Sequence, residues 1–295
     1  MVRYYTMYLV SAFSNKPFMG NATGVVIDSG NLSDDEMQNI AKDINQSEIV
    51  FVRKLDTGRY NTRFFTPHQE IKLCGHATIA TFYALAEKEY IIPLESGVNE
   101  IIQHTKTGKV RVALEYEDYR IKQVYMYLDV KREEYSIKDQ EILEALGLRE
   151  EDIGLSMCGA RPQKISTGLS DIVVPVKNRD ILAKINLKED LAYRLSEKED
   201  IISLHAFTTE DGKNIRQRTF SPRIHVREET GSGTSTAATM YYLYTNDCIR
   251  SLEIQSVQGD LLNRPSIVTA NYNEEKKRVR VGGRAYVFMN GVLNI

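Results

Sequence analysis

Apolar and polar positions along this chain switch between two periods, and the switches mark its elements. From Arg3 to Val10 a run rich in Tyr, Met and Val predicts an opening strand. A loop punctuated by Pro and Gly follows over Phe13 to Ala22, then a short apolar strand over Thr23 to Ile27. Ser33, with Glu36 three residues later, forms a capping-box pattern, and Met37, Ile40, Ala41 and Ile44 recur at helical spacing, so a helix is predicted to about Ile44. Ser47 to Val52 turns back into a strand whose one acid, Glu48, stands at its head. Tyr60 to Phe65 predicts another strand, and Gly75 to Tyr90 a helix apolar around most of its circumference, which is the mark of a buried helix. Strand patterns return at Glu100 to His104, Lys109 to Tyr116 and Val124 to Val130, before a short helix over Ser136 to Leu146 with Ser136 as cap and Gly147 as terminator.

The rest of the chain repeats this grammar. Gly168 to Val176 echoes Ser47 to Val52, again with an acid, Asp171, at the head of an apolar strand. Charged helical stretches at Arg179 to Ile185 and Lys188 to Leu195 lead to strands near Ile201 to Thr208 and Asn214 to Phe220. Thr234 to Tyr244 predicts a second buried helix, and strands near Ser251 to Val257, Ser266 to Tyr272, Arg278 to Val281 and Tyr286 to Met289 close the chain, with Asn290-Gly291 read as a tight turn.

The repetition is sharpest before the two buried helices. Lys72-Leu73-Cys74-Gly75-His76-Ala77-Thr78 is a small-residue turn running into one helix, and Glu229-Thr230-Gly231-Ser232-Gly233-Thr234 is a glycine turn running into the other. The lead-ins match as well: Arg63-Phe64-Phe65-Thr66-Pro67 and Arg218-Thr219-Phe220-Ser221-Pro222. At 295 residues two domains are expected. The reading is an α+β protein of two pseudo-symmetric domains, each a curled, mostly antiparallel sheet around a central buried helix. The halves are placed at residues 1–120 and 121–295, with the C-terminal strand able to pack back on the first half.

Composition narrows the partners. Lys plus Arg at 38 against Asp plus Glu at 40 gives a net charge of −2, without the basic footprint that nucleic acid or an acidic membrane surface would need, so a small molecule is the expected partner. No run approaches the roughly 20 apolar residues of a membrane span, and the first residues lack a secretory pattern, so the expected location is cytoplasmic. Cys74, Cys158 and Cys248 are an odd number at wide spacing with no Cys-x-x-Cys pair, so neither a disulfide framework nor a metal site is expected, and Cys158 and Cys248 read as buried apolar fillers.

A glycine turn before a helix leaves backbone N–H groups unpaired, and the helix dipole adds positive potential there. Each turn can therefore hold a carboxylate or a developing oxyanion, and the two together are expected to clamp a small anion between the halves. Glu48, at the head of the apolar run Ile49 to Val52, reads from the residues alone as a strand-end acid facing solvent.

Lys16-Pro17-Phe18-Met19-Gly20-Asn21-Ala22, Asn45 to Val52, Arg63 to Pro67 and Cys74 to Thr78 resemble, in order, the signatures of the PhzF-like isomerases, phenazine-biosynthesis relatives of diaminopimelate epimerase. The resemblance covers nearly the whole first half, with a weaker match through Phe220 to Ala238. It implies a central helix in each domain, a cofactor-free active site, and a homodimer. It also implies that Glu48 moves a proton between carbons of a small carboxylic acid, with His76 hydrogen-bonding the substrate or relaying the proton. That role needs a pKa raised by exclusion of water, a setting that the apolar run Ile49 to Val52 fits. Asn21, Cys74, Gly75, Thr230, Gly231, Ser232 and Gly233 then line the substrate site, Ser232 and the amides of its turn gripping the carboxylate. The chain departs from the family pattern before the second turn: the typical Asp, three residues before the Thr, is replaced by Arg227, with Glu228 and Glu229 beside it and no proline. An acid near that place could substitute, or Arg227 could meet a second substrate carboxylate.

Two-thiol racemases of the same superfold set one Cys in each turn, and here Cys74 faces a sequence partner, Thr230, too weak to act as an acid or base. Two-base racemisation is therefore not expected. A Cys/Thr pair does occur in hydroxyproline dehydratases related to proline racemase, whose first turn also reads Cys-Gly-His, and that chemistry is the competing enzymatic reading. A non-catalytic binder of small acids is the third.

Overall fold

In the computed structural model, which describes residues 2–159 and 161–295, the chain forms two compact units. One runs to Tyr127 and takes up Gly282–Ile295; the other is Leu128–Val281.

In the first unit β1 (Tyr4–Ala12) pairs antiparallel with β2 (Asn21–Ile27). α1 (Asp34–Ile44) crosses over to β3 (Ile49–Asp56), parallel to β2, and β4 (Arg59–Phe65) runs back antiparallel, with the short β5 (Glu70–Ile71) beside it. α2 (Gly75–Glu87) makes a second crossover to β6 (Ser96–Thr105), parallel to β4, and β7 (Gly108–Glu117) and β8 (Arg120–Asp129) continue antiparallel. In the second unit β9 (Lys131–Glu133) and α3 (Asp139–Leu146) precede β10 (Gln163–Ser166), which lies antiparallel to both β9 and β11 (Ser170–Pro175). α4 (Arg179–Lys184) and α5 (Glu189–Glu199) cross over to β12 (Ser203–Thr209), parallel to β11, and β13 (Asn214–Phe220) returns antiparallel. α6 (Gly233–Thr245) crosses to β14 (Glu253–Gln258), parallel to β13, followed by the antiparallel β15 (Ser266–Asn273) and by β16 (Arg278–Gly283). The last strand, β17 (Ala285–Asn294), belongs to the first unit and pairs with β1.

The expected α+β class is found, and its local causes are visible. The capping box at the start of α1 is complete: Ser33 Oγ accepts from the Glu36 amide at 3.2 Å, and Glu36 accepts from the Ser33 amide at 2.8 Å. Met37, Ile40 and Ala41 then pack with Met7, Val26, Ile49 and Phe51 on one face of the sheet, and α2 covers β1, β2 and β3. A strand covered on both faces has no side for polar residues, which is why Ile49 to Val52 is an unbroken apolar run. In the second unit the same logic buries all of β12, with α3, α4 and α5 contributing Leu143, Leu146, Leu182 and Leu195 to its core.

Four expectations need correction. Asn290-Gly291 is no turn; it lies inside β17, opposite Tyr8 and Met7 of β1. Ser136 does not cap α3, which starts at Asp139; its amide and hydroxyl are instead held by Glu199 Oε1, at 2.9 and 2.5 Å. The stretch Gly168 to Val176 is not the counterpart of Ser47 to Val52. By order and register, β11 corresponds to β2 and β12 to β3. Gly24 pairs with Ile49 and Ile49 with Phe65; likewise Ile172 pairs with Leu204 and Leu204 with Phe220. Glu48 thus has Ser203 as its counterpart, and Asp171 corresponds to Thr23.

Finally, Cys158 and Cys248 are not buried fillers. They are half-buried and joined in a disulfide across 90 residues, tying a loop of the second unit to the C-terminal end of α6. Wide spacing hid the pair, because only the fold brings the two loops together. No helix of the described residues is long and apolar enough to cross a membrane.

A cross-link closing so long a loop removes much of the freedom of the unfolded chain, a contribution of about 2–4 kcal/mol. Dithiothreitol should lower the thermal midpoint of the oxidised protein by several degrees and leave that of the Cys158→Ala/Cys248→Ala variant unmoved, read by differential scanning calorimetry. An equal response from both proteins would show that the bond does not contribute.

Candidate active site

The five site residues expected from the first half, Asn21, Glu48, Cys74, Gly75 and His76, lie within one unit, with Gly75 the first residue of α2. Gly20 has φ +76°, and a Cβ there would stand 2.3 Å from the Ala12 carbonyl oxygen; only glycine lets the chain pass and enter β2 at Asn21. The Glu48 carbonyl is pinned to β2 by the Gly24 amide at 3.1 Å and the Thr23 hydroxyl at 2.7 Å, which fixes its side chain at the head of β3. Cys74 is the N-cap of α2 and His76 its second residue. His76 Nε2 lies 2.9 Å from Glu48 Oε2, Asn21 Nδ2 lies 3.1 Å from His76 Nδ1, and Cys74 Sγ lies 3.4 Å from the same nitrogen. Glu48 is 1% exposed and His76 4%. No described N–H or O–H points squarely at Glu48 Oε2, so the contact with His76 is held by charge more than by an aligned hydrogen bond.

The electrostatics differ from the sequence expectation. Burial does push the Glu48 carboxyl up, but the His76 imidazole facing it, helped by Ser47, outweighs that and holds the carboxyl below its ordinary 4.5. His76 is driven well above its ordinary 6.5: burial opposes the charged ring, and the Cys74 sulfur and Glu48 favour it more strongly. The pair is therefore carboxylate and imidazolium. The Asn21 amide serves either state of the ring, with Nδ2 donating to a bare Nδ1 or, turned over, Oδ1 accepting from Nδ1–H. The Cys74 thiol is pushed up by burial and by the Glu48 charge, against the opposite pull of His76.

Glu48, Cys74 and His76 place three possible metal donors within 4.8 Å of one another. Two ligands of a tetrahedral zinc ion stand about 3.3 Å apart, given zinc bonds of about 2.0–2.1 Å. The Nε2 to Oε2 separation of 2.9 Å is shorter, so the set is closed on itself by the ion pair.

The second turn is built differently. Ser232 is the N-cap of α6, and its Oγ accepts from the Ser235 amide at 3.3 Å. The Ser232 amide is spent on Gln258 Oε1 at 3.1 Å, which removes one of the donors expected to face an anion. Thr230 runs close against Gly259, where a Cβ would meet its carbonyl oxygen at 2.5 Å; Gly231 and Gly233 are buried, while Ser232 and Thr234 are half-buried. Of the divergent residues before the turn, Glu228 is held by Arg218 in a two-pronged ion pair at 2.8 and 2.7 Å, and Arg227 reaches Glu189 at 3.1 Å on the exposed surface.

Arg218 belongs to a group that the sequence reading passed over. Arg63, at the matching place in the first unit, grips Glu70 with the same fork at 2.8 and 2.7 Å, and the guanidinium carbons of Arg63 and Arg218 lie 5.1 and 4.9 Å from the ring centroids of Phe65 and Phe220. Behind each turn lies a buried amide and hydroxyl cluster: Gln103 with Thr62 and Thr78 in one unit, Gln217 and Gln258 with Thr236 in the other. The repeated Arg in the two lead-ins was the available signal.

Residues 10–291 match the PhzC-PhzF family, described as phenazine biosynthesis-like protein. The chain belongs to that family. An uncharacterized isomerase of Clostridium acetobutylicum is 30% identical over 312 residues, covering 99% of both chains. The trans-2,3-dihydro-3-hydroxyanthranilate isomerase of Pseudomonas aeruginosa is 26% identical over 288 residues, covering 96% of this chain and 97% of the relative. In fold, the crystal structure of a PhzF-family phenazine biosynthesis protein from Bacillus anthracis superposes with a TM-score of 0.83 at 24% identity, covering 99% of this chain and 100% of that one. The expectation of a PhzF-like isomerase stands on these matches.

The ion pair makes stability depend on pH in this PhzF-family protein. The depressed Glu48 contributes stability above its unfolded value of 4.5 that is lost as pH falls through its lower folded value; the raised His76 contributes fully below 6.5 and is lost as pH climbs through its higher folded value. Both terms are present between pH 4.5 and 6.5. The denaturation midpoint of the wild-type protein, compared with the Glu48→Gln/His76→Asn variant, should show its largest advantage in that window and a shrinking one on either side. A gap that is flat from pH 3 to pH 10 would mean the pair is not ionised.

Proposed function

We propose that the protein is a cofactor-independent isomerase that moves a proton, and with it a double bond, on a small carboxylate-bearing metabolite, with Glu48 as the acid/base. The observation that carries this reading is the 2.9 Å Glu48–His76 pair, buried together at the head of β3 and the start of α2. The neighbouring imidazolium keeps Glu48 ionised and so able to accept a proton, and keeps the buried site neutral overall, while leaving the carboxylate less basic than burial alone would make it. Glu48 takes the proton from one carbon, the C–H electrons shift the double bond, and the proton, or one exchanged from solvent, is returned to another carbon of the same molecule. Nothing is oxidised or reduced. Asn21 orients the ring of His76, and the amides opening α2 supply donors for carboxylate or enolate oxygens; within the second unit the turn opening α6 is by itself a candidate holder of a carboxylate. The relative named for trans-2,3-dihydro-3-hydroxyanthranilate makes cyclic, unsaturated amino or hydroxy acids the first substrates to try.

The competing reading, dehydration of a hydroxylated proline by Cys74, is weakened by the thiol: burial and the Glu48 charge both disfavour the thiolate that would have to be the base.

Incubation in heavy water with a panel of unsaturated and hydroxylated cyclic acids, including trans-2,3-dihydro-3-hydroxyanthranilate, followed by NMR, should show deuterium entering carbon with one acid of the panel. On that acid Glu48→Gln should lose about 10²–10⁴-fold in rate, the usual worth of a general base, while Cys74→Ser keeps most of it. Full activity in Glu48→Gln would overturn the assignment; collapse of Cys74→Ser together with pyrroline product from hydroxyprolines would install the rival. Tight binding without any exchange would identify a binder.

A further inference from the structure

A second buried acid has no role in the chemistry above. Asp171, the second residue of β11, is 2% exposed, and among the described residues no cation pairs with it. Its partners are hydroxyls. Ser235 Oγ donates to Asp171 Oδ2 at 2.7 Å, and Ser203 also donates to the carboxyl. Ser232 Oγ donates in turn to Ser235 Oγ at 2.9 Å, and Thr234 Oγ1 lies 3.2 Å from Ser232 Oγ. A line of exchangeable protons thus runs from an interior carboxyl to the half-buried N-cap of α6. Architecture alone does not ask for an acid here, since Thr23, at the corresponding place in the first unit, ties the neighbouring strand with a neutral hydroxyl. An unpaired buried carboxyl costs stability that Thr or Asn would spare, which points to use.

We propose that Asp171 is the positioning residue of the second turn, setting through Ser235 the direction of the Ser232 hydroxyl, so that a carboxylate ligand binds there together with one proton taken up by Asp171. With Asp171 ionised, Ser232 donates inward to Ser235 and turns only lone pairs outward, which repels a carboxylate. With Asp171 protonated, its O–H donates to Ser235, Ser235 donates to Ser232, and Ser232 donates to the ligand. The proton comes from solvent, and no bond within the ligand changes. The carboxyl is poised for this: burial raises it to about 7, against the pull of the Ser235 and Ser203 hydroxyls. The other titratable groups on the packed elements are engaged elsewhere. Lys164 of β10 is turned to the Glu199 carbonyl, Glu133 of β9 is held by Lys131 and Ser170, and Arg218 of β13 by Glu228. His205 of β12, kept neutral by burial, sits between the Thr219 and Thr239 hydroxyls, and Tyr242 of α6 donates to the Arg161 carbonyl.

The proposal rests on the reading of the second turn as a carboxylate holder, and its test separates the two. Binding of trans-2,3-dihydro-3-hydroxyanthranilate is measured by isothermal titration calorimetry from pH 6 to pH 9, in buffers of differing ionisation heat. Wild-type protein should take up close to one proton per ligand above pH 7, with affinity falling about tenfold per pH unit there. Asp171→Asn should bind without this uptake and with a flat pH profile. Ser235→Ala, which keeps the acid and cuts the line, should lose the uptake as well and serves if Asp171→Asn fails to fold. Wild-type binding with no proton uptake, or uptake unchanged in Ser235→Ala, overturns the relay. Absence of binding in every protein overturns the carboxylate reading of the turn and the relay with it.

Discussion

A helix enclosed on every side has nowhere to put its first turn of amide groups except inside the protein. α2 and α6 are largely enclosed in this way, and each starts at a buried glycine, after a buried N-cap, Cys74, in one case and a half-buried one, Ser232, in the other. Unpaired N–H groups at that depth are costly and electropositive, so something polar must be gathered around them. What the two units gather differs. The first brings an acid, an imidazole, a thiol and an amide; the second brings a row of hydroxyls ending in an acid.

The two buried acids show how environment assigns opposite tendencies to the same functional group. Glu48 and Asp171 are equally secluded, and burial raises both. Only Glu48 meets a cation, and His76 pulls it below the ordinary range; Asp171 meets hydroxyls alone and remains near 7. One is therefore a carboxylate across the neutral range, and the other changes state within it.

Much of this could be read from the letters. The capping box, both buried helices and the continuous apolar strands each rest on short-range pattern, and short-range pattern survives folding; Asn21, Glu48, Cys74 and His76, from three separate segments, are reached only through the resemblance of their motifs to the PhzF-like family. What could not be read depends on pairing between distant strands. The acid at the head of β11 looks like Glu48 in sequence, yet strand order places it where Thr23 stands. Asn290-Gly291 has the composition of a turn but is carried through by its partner strand β1, and the Cys158–Cys248 bond needs two loops that are adjacent only after the sheet forms. The ionisation of Glu48 also escaped, because an apolar sequence neighbourhood reports burial and says nothing of a ring arriving from another element.

The Arg63–Glu70 and Arg218–Glu228 forks carry a consequence for how such a duplicated chain diverges. Where the two units keep the same letter, as at Arg63 and Arg218, Phe65 and Phe220, or Gly75 and Gly233, the residue is a strut, needed wherever the framework is needed. Where they differ, as at Glu48 and Ser203, Thr23 and Asp171, His76 and Thr234, or Cys74 and Ser232, the two units set different polar groups at the same place in the framework. Internal similarity in this protein is thus a map of part of its scaffolding, and the unmatched positions mark where one framework carries two different sets of polar groups.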